Sequence, residues 1–388
     1  MESLPRFEFA TAGRILFGRG TLEQLGPFIA EMGSPALVVT GREPARAARL
    51  LQRLEEQGIR CVVLPTAGEP TLESVRATWE FARQEGCAVV LGFGGGSALD
   101  TAKAVAGLLT NDGPPERYLE VVGPAFPLTR PAAPLVAIPT TAGTGSEVTR
   151  NAVISVPDRA VKVSMRSPYL LPRLALVDPE LTLSCPPEVT AACGLDALTQ
   201  LIEPFVSTRA NPLTDALCRE GLPFVSRSLY RAWVNGQDVE AREDMALASL
   251  LSGLALANAG LGAVHGLAAA LGGMFRAPHG ALCARLLPAV MRTNILLLES
   301  ETEAHPTLER YREIARLLTG EAEAAPEDGV AWVEALVETV RIPQLQEYGV
   351  GPGDLDALVE RAQAASSMRA NPVVLTPAQL RAILEASL

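Results

Sequence analysis

Through the first 185 residues, short apolar runs alternate with longer stretches whose apolar residues recur every three or four positions. The runs 36–41 (ALVVTG) and 60–65 (RCVVLP) predict buried strands, and the stretches 44–58 (PARAARLLQRLEEQG) and 71–86 (TLESVRATWEFARQEG) predict amphipathic helices. Gly58 stops the first helix. Thr71 is a candidate N-cap for the second, with Glu73 and Ser74 in its first turn. Residues 87–109 (CAVVLGFGGGSALDTAKAVAGLL) read as strand, glycine turn and helix, and 134–149 (PLVAIPTTAGTGSEVT) as a strand followed by a Gly/Thr loop. Strands alternating with helices imply a parallel sheet covered on both faces. Beyond about residue 185 the strand pattern disappears, and 188–388 read as successive helices punctuated by Pro and Gly. The expectation is an α/β domain over 1–185 followed by an all-helical domain over 186–388.

The chain has 388 residues, 48% hydrophobic and 20% charged, with a net charge of −11. That composition supports a large core and argues against disorder. No run of Lys or Arg forms a basic stripe, which argues against nucleic acid and anionic membrane as partners. The opening MESLPRFEFATAGRILFG has charges where a signal peptide needs an apolar segment. Six cysteines are scattered without CxxC spacing, the pattern of a reduced, cytoplasmic protein whose thiols are small buried apolar groups. Residues 245–275 carry no Asp, Glu, Lys or Arg and are long enough to span a bilayer. They are rich in Ala and Gly and interrupted by Asn258 and His265, so they read as buried helices of the helical domain.

Lysine occurs only at 103 and 162, so 31 of the 33 basic residues are Arg. A lysine is a compact point charge where Arg is a planar fork, so the two lysines are candidates for work a guanidinium does badly. Lys103 lies one helical turn after Asp100, on the helix opened by GFGGGS. Successive glycines let backbone N–H groups approach an anion, and the helix N-terminus adds positive potential, so a diphosphate fits there. The turn matches neither GxGxxG nor GxxxxGK[ST], and a ligand-free strand-to-helix turn is the alternative. In the second loop Thr140, Thr141, Thr144 and Ser146 bring uncharged hydroxyls to the carboxyl end of a strand, where open parallel sheets bind ligands.

The three histidines are at 265, 279 and 305. His265 and His279 would lie about 21 Å apart on one straight helix. The intervening Gly272–Gly273 and Ala277–Pro278 break it, so the second can fold back. In GLDALTQLIEP (194–204), Asp196 and Gln200 are four apart and share a helical face. Two imidazoles and a carboxylate suit Zn²⁺ or Fe²⁺, although buried, hydrogen-bonded histidines read the same way.

Taken in order, GGGS-x₂-D-x₂-K, PTTAGTGSE, G-x-DALT and H-x₁₃-H within PHG resemble the iron-containing (group III) alcohol dehydrogenase family. The likeness extends from GRILFGRGTLEQL (13–25) to NPVVLTPAQLRAIL (371–384). It implies a Rossmann-like dinucleotide-binding domain, a helical metal and substrate domain, and interconversion of an alcohol with an aldehyde or ketone. It implies that Gly95, Gly96, Ser97 and Asp100 form the pyrophosphate turn. Thr140, Thr141 and Thr144 would lie beside the nicotinamide half, and Lys162 would contact the ribose. Asp196, Gln200, His265 and His279 occupy the metal-ligand positions, for Fe²⁺ or Zn²⁺. A homo-oligomer acting on a small-molecule alcohol or carbonyl is the implied partner set.

Three positions depart from the family's pattern. Gln200 stands where His is usual, a neutral and poorer donor, so weaker metal binding or none is implied. Ala269 replaces a further His four residues after His265, which removes a proton-relaying imidazole and enlarges the pocket. Gly41 followed by Arg42 replaces an Asp after the strand ALVVT (36–40), which favours NADP(H) over NAD(H). Two alternatives stand: a metal-independent, maleylacetate-reductase-like enzyme holding a carboxylate with Arg150 or Arg276, and a nucleotide-binding protein without catalysis.

Overall fold

The structure, a computed structural model, describes residues 6–300 and 305–388. Eight strands occur among them: β1 Ile15–Phe17, β2 Ala36–Thr40, β3 Cys61–Pro65, β4 Val89–Gly94, β5 Leu135–Pro139, β6 Asn151–Val156, β7 Val161–Arg166 and β8 Leu174–Val177. Six form one parallel sheet in the order β1-β8-β5-β4-β2-β3. Helices α1 (Leu25–Ile29), α2 (Ala48–Glu56), α3 (Leu72–Gln84) and α4 (Gly96–Thr110) connect its first strands. The central strands are apolar on both sides because both sides are covered. Leu37 and Val39 of β2 enter one core with Val90 of β4, while Ala36 and Val38 enter the other with Leu91 and Phe93. Thr71 caps α3 by accepting from Ser74 N, and Ser74 Oγ accepts from Thr71 N in return. The segment predicted as one helix over 44–58 is a 3₁₀ turn at Pro44–Ala47 followed by α2. β6 and β7 form a separate antiparallel hairpin.

Among the described residues nine further helices follow: α5 Pro187–Val206, α6 Pro212–Val234, α7 Val239–Ala259, α8 Ala263–Met274, α9 His279–Glu299, α10 Pro306–Thr319, α11 Pro326–Thr339, α12 Leu355–Ala364 and α13 Pro377–Ala386. The strand-bearing unit comprises Thr11–Thr141 with Gly145–Leu183. The helical unit comprises Ser184–Leu388 with Ala142–Thr144 and the described residues up to Ala10. The boundary thus lies between Leu183 and Ser184, against an expected cut after 185, and three residues of the Gly/Thr loop belong with the helices. The apolar stretch 245–275 is the end of α7 and all of α8, bent by 98°. Its Ala248, Ala255, Val264, Leu267 and Leu271 fill the helical core. α9 is also long and apolar enough to cross a membrane by length and composition, and it too is mostly buried in that core.

Candidate functional site

In the helical unit, α5 carries Asp196, α8 carries His265, and α9 begins at His279. The breakers between the two histidines act as expected: α8 ends at Met274, and α9 restarts beside α5. Gly280 makes that approach possible, because a Cβ there would lie 2.2 Å from the Ala192 carbonyl oxygen. His265 Nε2 lies 3.5 Å, and His279 Nε2 3.9 Å, from Asp196 Oδ1. The two rings stand 5.3 Å apart between centroids.

His265 is fixed from behind. Glu203, one turn after Gln200 on α5, accepts from His265 Nδ1 at 2.6 Å and from the Val264 backbone N–H at 2.7 Å. Asn371 accepts from Ala263 N, so two orphan donors of the first turn of α8 are satisfied by remote side chains. A carboxylate can only accept, so Nδ1 carries a proton, and in the neutral imidazole it is Nε2 that offers a lone pair toward Asp196. His265 Nε2 and Asp196 Oδ1 are buried and have no hydrogen-bond partner. An unpaired buried polar atom is costly. Two of them 3.5 Å apart are accounted for by a cation between them, so these residues fit a divalent metal.

Gln200 is buried, and its Oε1 accepts from Ser252 on α7 at 2.9 Å. A further donor, which the sequence reading treated as a small apolar residue, stands with the aspartate and the two imidazoles. Cys283, one turn after His279 on the same face of α9, places its sulfur 3.6 Å from His279 Nε2. The ligand atoms of Asp196, His265, His279 and Cys283 lie within 4.8 Å of one another. Burial opposes ionisation of Asp196, but the two imidazoles outweigh it and hold its carboxyl below the usual range. Burial likewise opposes charge on His265, yet Cys283 and Glu203 raise it well above the ordinary imidazole value. Glu203 and Cys283 were both missed from sequence. The signal for each was present: 203 follows 196 by two helical turns, and 283 follows 279 by one.

In the strand-bearing unit, the glycine turn joins β4 to α4. Gly95 is the N-cap of α4 and supplies no side-chain bond; its carbonyl accepts from Ala98 N and Leu99 N, which leaves the Gly96 and Ser97 N–H groups to a ligand or water. Thr141 Oγ1 lies 3.3 Å from where a Cβ on Gly95 would sit, and Thr140 N donates to Gly94 O. Gly96 and Ser97 are half-buried; Thr144, which belongs with the helical unit, is half-buried too. Asp100 and Lys103 face elsewhere. Lys103 is fully buried and spends all three donors on Ser146 Oγ, Thr149 Oγ1 and the Asn151 carbonyl, at 2.7–2.9 Å. Asp100 accepts from Ser146 Oγ and Val153 N. These two residues tie α4 to the loop before β6. Lys162, opposite Ser155 in the hairpin, pairs with Glu69 at 2.6 Å. Gly41 follows β2, a Cβ there would meet nothing within 4 Å, and Arg42 is exposed. Ala269 lies one turn after His265 on α8, Arg276 is exposed, and Arg150 is half-buried.

Residues 12–179 match the iron-containing alcohol dehydrogenase family, and residues 190–388 match its C-terminal domain. Alcohol dehydrogenase 4 of Saccharomyces cerevisiae is 38% identical over 377 residues, 95% of each chain. Long-chain-alcohol dehydrogenase 1 of Geobacillus thermodenitrificans is 38% identical over 385 residues, 95% of this chain and 94% of its own. A crystal structure of 1,3-propanediol oxidoreductase superposes with a TM-score of 0.92 at 32% identity, covering 99% of this chain and 100% of that one. Neither the metal-independent carboxylate reductase nor the catalytically silent nucleotide binder is favoured by these likenesses. The chain belongs to the iron-containing alcohol dehydrogenase family and is an NAD(P)-dependent oxidoreductase that interconverts alcohols with aldehydes or ketones.

Proposed function

We propose that this activity depends on a divalent ion held by Asp196, His265 and His279, with the dinucleotide diphosphate on the Gly95–Ser97 turn. The carrying observation is the pair of buried, unpartnered ligand atoms, Asp196 Oδ1 and His265 Nε2. When bound, the ion supplies Lewis-acid polarisation of the substrate oxygen. Glu203 keeps the imidazole of His265 in the tautomer and orientation that ligation needs. The small Ala269 supplies no imidazole one turn beyond His265, so water or the ribose hydroxyls carry the substrate proton, and the space admits a substrate bulkier than a short alcohol. Thr140, Thr141 and Thr144 line the nicotinamide half, Lys162 meets the ribose, and Asp100 contributes by fixing the loop through Ser146.

The cofactor reading favours NADP(H): Gly41 offers no carboxylate to repel a 2′-phosphate, and the exposed Arg42 offers a guanidinium. A cytoplasmic homo-oligomer completes the proposal. None of the six cysteines forms a disulfide, which suits a reducing compartment, and light scattering tests the assembly.

The test is metal content by elemental analysis of tag-free protein, with carbonyl reduction followed through EDTA treatment and Fe²⁺ or Zn²⁺ addition. About one equivalent of metal, with activity lost and restored alongside it, supports the reading. Activity indifferent to EDTA in protein without metal overturns it.

A further inference from the structure

Gln200 leaves the centre one imidazole short of the family's pattern, and its amide oxygen accepts from Ser252. We propose that the Cys283 thiolate is the fourth protein donor, so that this enzyme would hold its metal by two nitrogens, one oxygen and one sulfur, with the substrate oxygen entering as a fifth ligand. The inference rests on the metal reading above and goes beyond it in naming the ligand and the ion.

Two of three spacings fall within the edge of a tetrahedral site, and the third, at 3.9 Å, lies just beyond it. A four-coordinate ion with ligand bonds of about 2.0–2.3 Å has ligand-to-ligand edges of about 3.3–3.8 Å. His265 Nε2 to Asp196 Oδ1 is 3.5 Å, Cys283 Sγ to His279 Nε2 is 3.6 Å, and His279 Nε2 to Asp196 Oδ1 is 3.9 Å. Cys283 is fully buried, with both histidines and the aspartate as neighbours. His279 and Cys283 are four apart at the start of α9, the spacing by which one helix offers two ligands to one ion. The two unpartnered atoms, His265 Nε2 and Asp196 Oδ1, independently mark the same point as the place of a cation.

The exchange has chemical consequences. Ligation forms a sulfur–metal bond and releases the thiol proton to solvent. Two anionic ligands then neutralise the divalent charge, where three imidazoles and one carboxylate leave a net positive charge. Thiolate is a softer donor than imidazole, so selection moves from Fe²⁺ toward Zn²⁺.

The test uses the full-length protein, stripped with chelator and reloaded with Zn²⁺ alone. Zinc K-edge X-ray absorption is expected to show one sulfur at about 2.3 Å beside nitrogen and oxygen neighbours at about 2.0–2.2 Å. Cobalt loading provides a second readout: a thiolate-to-cobalt charge-transfer band in the near ultraviolet, present in wild type and Gln200→Ala and absent in Cys283→Ser. Zn²⁺ affinity is expected to fall at least about tenfold in Cys283→Ser, since even an outer-shell partner costs that much. Zinc bound at one equivalent with only nitrogen and oxygen neighbours overturns this assignment and leaves the metal reading standing. A cobalt band that survives Cys283→Ser overturns it too. Failure to take up any metal overturns both.

Discussion

Glu203 and His265, 62 residues apart in the chain, share a hydrogen bond of 2.6 Å from imidazole Nδ1 to carboxylate oxygen. The other carboxylate oxygen takes the Val264 N–H. One buried side chain therefore caps α8 and sets the tautomer of a candidate ligand. Glu203→Gln keeps the shape and one acceptor. Its amide nitrogen must then face either the Val264 N–H or His265 Nδ1. In the second case the ring proton shifts to Nε2 and the lone pair is lost. Metal affinity, measured by competition with a chromophoric chelator, is expected to fall about ten- to hundred-fold. Unchanged affinity would remove Glu203 from any positioning role.

Lys162→Ala is expected to weaken dinucleotide binding while barely moving the melting temperature. The half-exposed partner Glu69 makes the ion pair a minor contributor to stability, on the order of 1 kcal/mol or less. Titration calorimetry with NAD(P)H and a thermal melt separate the two effects. An unchanged Kd takes Lys162 out of the binding site.

Much of the strand-bearing unit was legible because its signals are local. Gly58, the Thr71 cap and the apolar runs each act within a few residues of themselves. The β6–β7 hairpin was not read, although Asn151–Arg166 alternates around Pro157–Ala160, because its strands lie apart from the main sheet. The rare letters pointed to His265 and His279, which meet, and to Lys103, which lies in a buried hydrogen-bond cluster. Its three donors serve Ser146, Thr149 and Asn151, and that choice depends on how the loop before β6 returns to α4. Cys283 was passed over because composition gives a thiol its average role, whereas here the start of α9 beside α5 brings it to the two imidazoles.

Gly41→Asp is expected to lower the NADP(H)/NAD(H) ratio of kcat/KM. The backbone accepts the change, since a Cβ at Gly41 would meet nothing within 4 Å. The new carboxylate would repel a 2′-phosphate and accept from a 2′-hydroxyl. A loss of tenfold or more in the ratio corresponds to about 1.4 kcal/mol or more of differential transition-state stabilisation. Should both cofactors change in parallel, Gly41 and Arg42 do not select between them.

Glu147, on the turn between Gly145 and Thr149, is buried near the ammonium of Lys103. Burial raises its carboxyl from 4.5 to about 7, against the opposing pull of its own backbone N–H and of Lys103. Between these values the unfolded chain has released a proton that the folded chain keeps. The stability this group contributes is therefore complete below about pH 4.5 and is lost as pH rises through about 7. The shift corresponds to at most about 3 kcal/mol. Gln cannot ionise, so Glu147→Gln should be more stable than wild type at pH 8, and the difference should shrink toward pH 5. Urea midpoints at pH 5, 6.5 and 8, compared between the two proteins, cancel every other titration they share. A difference that does not change with pH would show that Glu147 titrates alike in the folded and unfolded chains.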